Sequence, residues 1–179
     1  MLKTDVTPSS HAERIAHLRE SFGEANARLV ARLRGATDAA AERADTGAWS
    51  AAQIGWHVAA VTTRFARMIS GEVAAAQPTT PNFRERAWTD VLASIPDRLT
   101  SPEAVAPPPA VRRAEAVAAL EASGAGMAVA LAALTPDRGD RMGITHPIVG
   151  AISVYQIGDW ATAHVIRHNR QAKRALGEG

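Results

Sequence analysis

The sequence contains no cysteine among its 179 residues. This absence excludes disulfide bonds, zinc sites built on thiolates and catalysis by a cysteine nucleophile. Aromatic residues are also scarce, at 4% of the chain, while alanine supplies much of the 46% that is hydrophobic. Alanine has the highest helix propensity, whereas aromatic and β-branched residues favour strands. The composition therefore predicts an all-α protein.

The sequence also lacks a dominant charge and a long apolar run. Its 20 basic and 18 acidic residues give a formal net charge of +2, without the basic block of a nucleic-acid-binding surface. No apolar run approaches the roughly 18 residues that span a bilayer, and the start does not resemble a signal peptide. We therefore expect a cytoplasmic protein that binds neither nucleic acid nor membranes, folded as one domain over residues 1–179.

Hydrophobic periodicity predicts four long helices. Three of them begin with a serine followed three residues later by glutamate or glutamine, the pattern of a capping box. These pairs are Ser10 with Glu13, Ser50 with Gln53 and Ser153 with Gln156. The four predicted spans are His11–Arg34, Ser50–Gly71, Ala110–Leu134 and Ser153–Gly177.

The connection between the second and third helices is long and rich in proline. It covers residues 72–109, with a short helix predicted around Arg84–Ser94. A connection of this length can return along a whole helix, so the second and third helices can be parallel. The sequence therefore predicts a four-helix bundle in up-down-down-up order. The other connections, residues 36–48 and 135–152, are of moderate length and permit antiparallel neighbours.

Three histidines in these helices form a candidate metal site. His164 and His168 are four residues apart, so they share one face of the fourth helix. His57 lies among apolar residues of the second helix, about 10 Å from its start. In an antiparallel pair of helices the three imidazoles lie at nearly the same height. The alternative is that they are core or surface residues with ordinary hydrogen bonds, as predicted for His11, His17 and, in a turn, His146.

These residues resemble the DinB/YfiT-like family of four-helix-bundle metalloproteins. One run is Trp49, Ser50, Gln53, Ile54 and His57; the other is His146, Pro147 and Gly150, followed by His164, His168 and Gln171. The resemblance implies an up-down-down-up bundle with a divalent metal, often nickel or zinc, on the three histidines. It also implies a homodimer. The family includes hydrolases, thiol-dependent S-transferases and a thiol-dependent isomerase, and many members have no known activity.

Two functions remain open at the level of sequence. The first is a metal-dependent hydrolase, or a transferase that activates a low-molecular-weight thiol, acting on a small molecule. Three imidazoles leave coordination positions for water or substrate, as in catalytic zinc sites. The second is a helical module without activity that binds a metal or a ligand, or only dimerises. Imidazole suits Zn, Ni, Fe and Co, so the residues alone do not choose the metal.

The helix order also predicts where the proline-rich connection ends. If the second and third helices are parallel, both begin at the end of the bundle that holds the metal. The last part of the connection, Ser101–Ala110, is then expected beside the site, where it would wall a substrate pocket. No acidic residue is clearly placed as a general base.

Overall fold

The computed structural model describes residues 10–96 and 103–178 and is mostly helical. The all-α prediction is confirmed at this coarse level, with a small sheet added. In chain order the elements are α1 (His11–Gly35), α2 (Asp38–Glu42), α3 (Ala51–Ser70), β1 (Gln77–Pro78), α4 (Trp88–Ala93), a 3₁₀ turn (Glu103–Val105), α5 (Arg113–Ala133), α6 (Pro136–Arg141), β2 (Met142–His146), β3 (Gly150–Ser153) and α7 (Val154–Ala175).

The four long helices enclose the core. Both α1 and α3 pack against α5 and α7, while α1 and α3 contact each other far less. The apolar side chains that follow helical spacing in the sequence meet at the centre of this arrangement. The largest fully buried ones include Leu29, Leu33, Ile54, Ile69, Leu120, Met127, Leu131, Tyr155 and Ile157.

Hydrogen bonds show which helix ends lie together. His11 Nδ1 is 2.7 Å from the Tyr155 hydroxyl oxygen, so α1 and α7 begin side by side. The Arg113 guanidinium donates to the carbonyl of Arg34, which places the start of α5 beside the end of α1. Gln53 donates to the carbonyl of Pro109, just before α5, so α3 and α5 begin at the same end.

All three predicted capping boxes are present. Ser50 and Gln53 cap α3, and Ser153 and Gln156 cap α7 in the same way, with each side chain accepting from the other's backbone N–H. Both glutamines make a second contact through the other end of the amide. Gln53 Nε2 donates to the carbonyls of Pro108 and Pro109, and Gln156 Nε2 donates to the carbonyl of Arg86. The proline-rich connection is therefore tied to the first turns of two helices.

The connection over residues 135–152 contains a helix and two strands that the sequence did not predict. Its first part is α6, and β2 and β3 then form an antiparallel hairpin in which Ile144 pairs with Ile152. The third strand, β1, comes from the proline-rich connection and pairs Gln77 with Gly143. The strands are short, and β1 joins from more than sixty residues away, so local periodicity did not reveal the sheet. Residues 36–48 likewise contain a short helix, α2.

The helix α5 differs from the expectation that no segment of the chain is apolar and long enough to span a membrane. By length and composition alone, Arg113–Ala133 is apolar enough to cross a bilayer, and it is the one such helix among the residues described. Its buried side chains, including Val117, Leu120 and Leu131, pack in the core against α1 and α3. A core helix passes the same composition test, so this helix is weak evidence for a membrane.

Two glycines test the packing at opposite extremes. A Cβ on Gly139 would lie 2.2 Å from Cζ of the buried Tyr155 ring, whereas a Cβ on Gly126 in α5 meets nothing within 4 Å. We expect Gly139→Ala to lower the free energy of unfolding by about 1–3 kcal/mol because the core is overpacked. Gly126→Ala should raise it by about 0.5–1 kcal/mol because alanine is the better helix former. Urea unfolding measures both, and equal stabilities would contradict this packing.

Candidate metal centre

The structure brings His57, His164 and His168 together. Each offers one ring nitrogen, and these three atoms all lie within 4.8 Å of one another. The Nε2 atoms of His57 and His164 are 3.2 Å apart. His57 comes from α3 and is 3% exposed, while the other two come from α7 and are partly buried. The predicted proximity is thus confirmed, and the binding of a metal stays a prediction.

The local sequence explains this placement. The capping box of Ser50 and Gln53 fixes where α3 begins, and His57 then falls on the buried face of its second turn. His164 and His168 lie one turn apart on the side of α7 that meets α3, with ring centroids 4.3 Å apart. Because α3 packs against α7, the single imidazole of one helix reaches the pair on the other.

Hydrogen bonds fix the tautomer of two of the three rings. His57 Nδ1 is 2.8 Å from the carbonyl oxygen of Val105, and His168 Nδ1 is 2.8 Å from Oε1 of Gln171. Both partners can only accept, so each Nδ1 donates and, in a neutral ring, each Nε2 keeps its lone pair. His164 Nδ1 is buried without a hydrogen-bond partner in the described part of the chain, so no such contact fixes its tautomer.

The spacing suits ligands of a common ion. Two imidazole nitrogens that bind one tetrahedral zinc at about 2.0–2.1 Å are about 3.3 Å apart. The 3.2 Å between the Nε2 atoms of His57 and His164 is close to this value. The same distance also allows a hydrogen bond, in which His164 Nε2–H donates to the lone pair on His57. The donor set therefore fits a metal without requiring one.

Burial keeps the three imidazoles neutral near pH 7. It is the largest cause that lowers the pKa of His168 to about 4 and the pKa of His164 well below its ordinary value. Repulsion among the three rings and from Arg167 adds to this effect on His164. Burial also lowers the pKa of His57, against the hydrogen bond to Val105, which raises it. Neutral imidazole is the form that binds metal ions.

Aromatic rings surround the histidines. The ring of Trp49 lies 5.0 Å from that of His57, and Phe65 approaches His164 with centroids 6.4 Å apart. Trp160 packs on Phe65 at 5.5 Å and meets His146 edge-on at 4.8 Å.

His146 is thus joined to the cluster through aromatic rings and is not one of its members. It ends β2, where its Nδ1 accepts from the backbone N–H of Ile148, as predicted for a turn histidine.

The end of the proline-rich connection lies beside the histidines. Val105 accepts from His57, and the carbonyls of Pro108 and Pro109 accept from Gln53 one turn earlier in α3. The predicted position of Ser101–Ala110 is therefore confirmed for residues 103–110. Ser101 and Pro102 lie outside the described residues.

Within the described residues, no carboxylate joins the cluster. The acid of α7 is the partly buried Asp159, whose pKa is raised to about 6, chiefly by burial and also by Glu85. The charges that oppose this rise belong to Arg14 and His17 on α1, so Asp159 faces α1 and not the imidazoles. Asp159 is therefore not placed to act as a general base at the three histidines.

Two cavities lie elsewhere on the described surface. The larger, of about 580 Å³, follows the groove between α1 and α5 and includes Asn26 and Glu121 in its lining. The smaller, of about 320 Å³, lies against the sheet beside Phe83 and Thr145. Neither is lined by His57, His164 or His168.

A family model described as the DinB superfamily matches residues 21–172. The chain belongs to the DinB superfamily. This match includes all three histidines of the cluster, with the whole of α3 and most of α7, and it confirms the resemblance drawn from the sequence motifs. A search of curated proteins found no match to the chain.

Sequence reasoning assigned no role to several residues around the cluster. Val105 contributes a backbone carbonyl, which no side-chain pattern reveals. Trp49 was named in the motif without a role at the cluster, and in the structure its ring packs on His57. Gln171 was named in the motif, and its spacing of three residues after His168 was the signal for the contact that the structure shows.

The lowered histidine pKa values predict how stability depends on pH. The unfolded chain binds protons near the ordinary histidine pKa of about 6.5, whereas folded His168 binds one only near pH 4. The contribution of His168 to the free energy of unfolding of chelator-treated protein should therefore fall as the pH drops from about 6.5 to 4. His168→Gln removes this contribution and should change the slope of stability against pH accordingly. Equal slopes for the two proteins in urea unfolding would contradict the burial of His168.

Proposed function

We propose that DinB-family membership and the His57–His164–His168 cluster reflect a divalent metal site. The observation that carries the proposal is the convergence of three ring nitrogens within 4.8 Å. Two of these rings donate Nδ1–H to oxygen acceptors and so present Nε2 as a ligand atom. Zinc and nickel are the metals that the family resemblance favours, and iron and cobalt are alternatives that also bind imidazole nitrogen.

The proposed activity is that of a metal-dependent enzyme acting on a small molecule. The reaction is either hydrolysis or S-transfer from a low-molecular-weight thiol. When bound, the metal supplies Lewis acidity and lowers the pKa of a coordinated water or thiol. The chain's own part is to hold three neutral imidazoles in an apolar setting, with Trp49 and Phe65 packed against two of the rings. In this proposal the segment 103–110 forms one wall of the substrate site, and the Val105 carbonyl orients His57.

A module without activity is the second candidate. It is favoured by the absence of the three histidines from the lining of the two described cavities. It also agrees with the lack of a carboxylate in the cluster within the described residues. In this case the metal, or a small ligand, would stabilise the bundle and would not turn over a substrate.

We propose that the four long helices form a bundle in up-down-down-up order. The contact between His11 and Tyr155 supports a parallel arrangement of α1 and α7, and that between Gln53 and Pro109 supports the same for α3 and α5. We further propose a cytoplasmic homodimer without nucleic-acid or membrane partners. The dimer rests on the family resemblance, and light scattering of the purified protein tests it.

Metal content tests the site directly. We expect alanine in place of His57, His164 or His168 to reduce the bound divalent metal strongly, since each substitution removes one of three ligands. His17→Ala is the matched control because His17 is exposed on α1. Elemental analysis after dialysis against buffer gives the stoichiometry. Full occupancy in all three cluster variants would exclude this site.

Activity separates the two candidate functions. We expect the metal-loaded protein to hydrolyse ester or amide substrates, or to couple a low-molecular-weight thiol to an electrophile. The chelated protein and His168→Ala should lose this turnover, while His17→Ala retains it. Product formation is followed by mass spectrometry with each substrate class. Metal binding without turnover in any class would instead support the module without activity.

A further inference from the structure

The imidazole of His168 is held by a side chain of its own helix. Its Nδ1 lies 2.8 Å from Oε1 of Gln171, one turn further along α7. Both side chains are partly buried, so water competes less for this hydrogen bond than at the surface. Because the amide oxygen only accepts, the bond places the ring hydrogen on Nδ1 and leaves Nε2 as the free ligand atom.

The other two rings of the cluster lack an equivalent side-chain partner. His57 is held by the backbone carbonyl of Val105, which no substitution of a side chain removes. His164 Nδ1 has no hydrogen-bond partner among the described residues. Within the described structure, Gln171 is therefore the side chain that fixes the tautomer of a ring in the cluster. Its substitution would remove this constraint on His168 and leave all three imidazoles in place.

We propose that Gln171 is a positioning residue for the metal site: it fixes the tautomer and ring orientation of His168 so that Nε2 presents its lone pair to the ion. This inference rests on the proposed function and specifies how the site is prepared. An imidazole that donates its other N–H to an oxygen acceptor is also a more basic ligand. Gln171 acts through His168, so it is not itself a ligand or a catalytic residue.

A merely structural role predicts a different outcome. Glutamine is a good helix former, and its side chain also fills space between α7 and its neighbours. If that were its whole contribution, any side chain of similar size would serve, and the affinity for metal would not depend on an acceptor atom. The two explanations therefore predict different affinities for the metal but the same stability of the helix.

The test measures the dissociation constant of Zn²⁺ by competition with a chromogenic chelator. Gln171→Leu keeps the approximate volume and removes the acceptor, and we expect it to weaken binding roughly 10- to 100-fold. Gln171→Glu restores an oxygen acceptor and should recover the affinity. Arg170→Leu, at the exposed neighbouring position, is the matched control and should bind as the natural sequence does.

The absorption spectrum of bound Co²⁺ gives a second readout, independent of any activity. Its visible bands should shift in Gln171→Leu and return in Gln171→Glu, since they report ligand geometry. Gln171→Ala, with the strongest helix former, repeats the measurement should the leucine variant not fold. Equal Zn²⁺ affinity and Co²⁺ spectra in the acceptor-free variants and the natural sequence would overturn the inference. Absence of metal binding by the natural sequence itself would overturn both the inference and the proposed function.

Discussion

The hydrogen bond from His57 to the carbonyl of Val105 holds the helical bundle and the proline-rich connection together. It joins a buried imidazole of α3 to the last part of that connection. The backbone carbonyl gains a donor, and the imidazole gains a fixed tautomer with Nε2 directed away from the bond. If the connection followed another path, Nδ1 of the buried His57 would lose this acceptor. The arrangement of the cluster therefore depends on where a segment with little regular structure is held.

Much of the cluster could be predicted because its determinants are local. A capping box fixes where α3 begins, and helical periodicity then places His57 on the buried face. The four-residue spacing of His164 and His168 sets their common face in the same way. The matched heights of the histidines follow from counting residues along each helix, and the connection lengths favour the antiparallel pair that this match requires. Each of these signals lies in adjacent residues or in a simple count.

The features that escaped prediction are long-range. The strand β1 is two residues long and contains Pro78, so it has no pattern of its own and exists only by pairing with β2. Val105 takes part through its backbone, for which the side chain carries no information. The contact of Trp49 with His57 depends on the path of the chain before α3. In each case the deciding interaction joins segments whose relative position no window of sequence specifies.

The capping boxes of α1, α3 and α7 differ in one functional group, and this difference determines what else each box can hold. α1 carries Glu13 at the third position of its box, where α3 and α7 carry Gln53 and Gln156. A carboxylate and an amide oxygen can cap a helix equally well, but only the amide has hydrogens left to donate. The two glutamines use these hydrogens to hold carbonyls of the connection at Pro108, Pro109 and Arg86. The same two side chains therefore cap these helices and hold the connection against them, which a carboxylate at either position could not do.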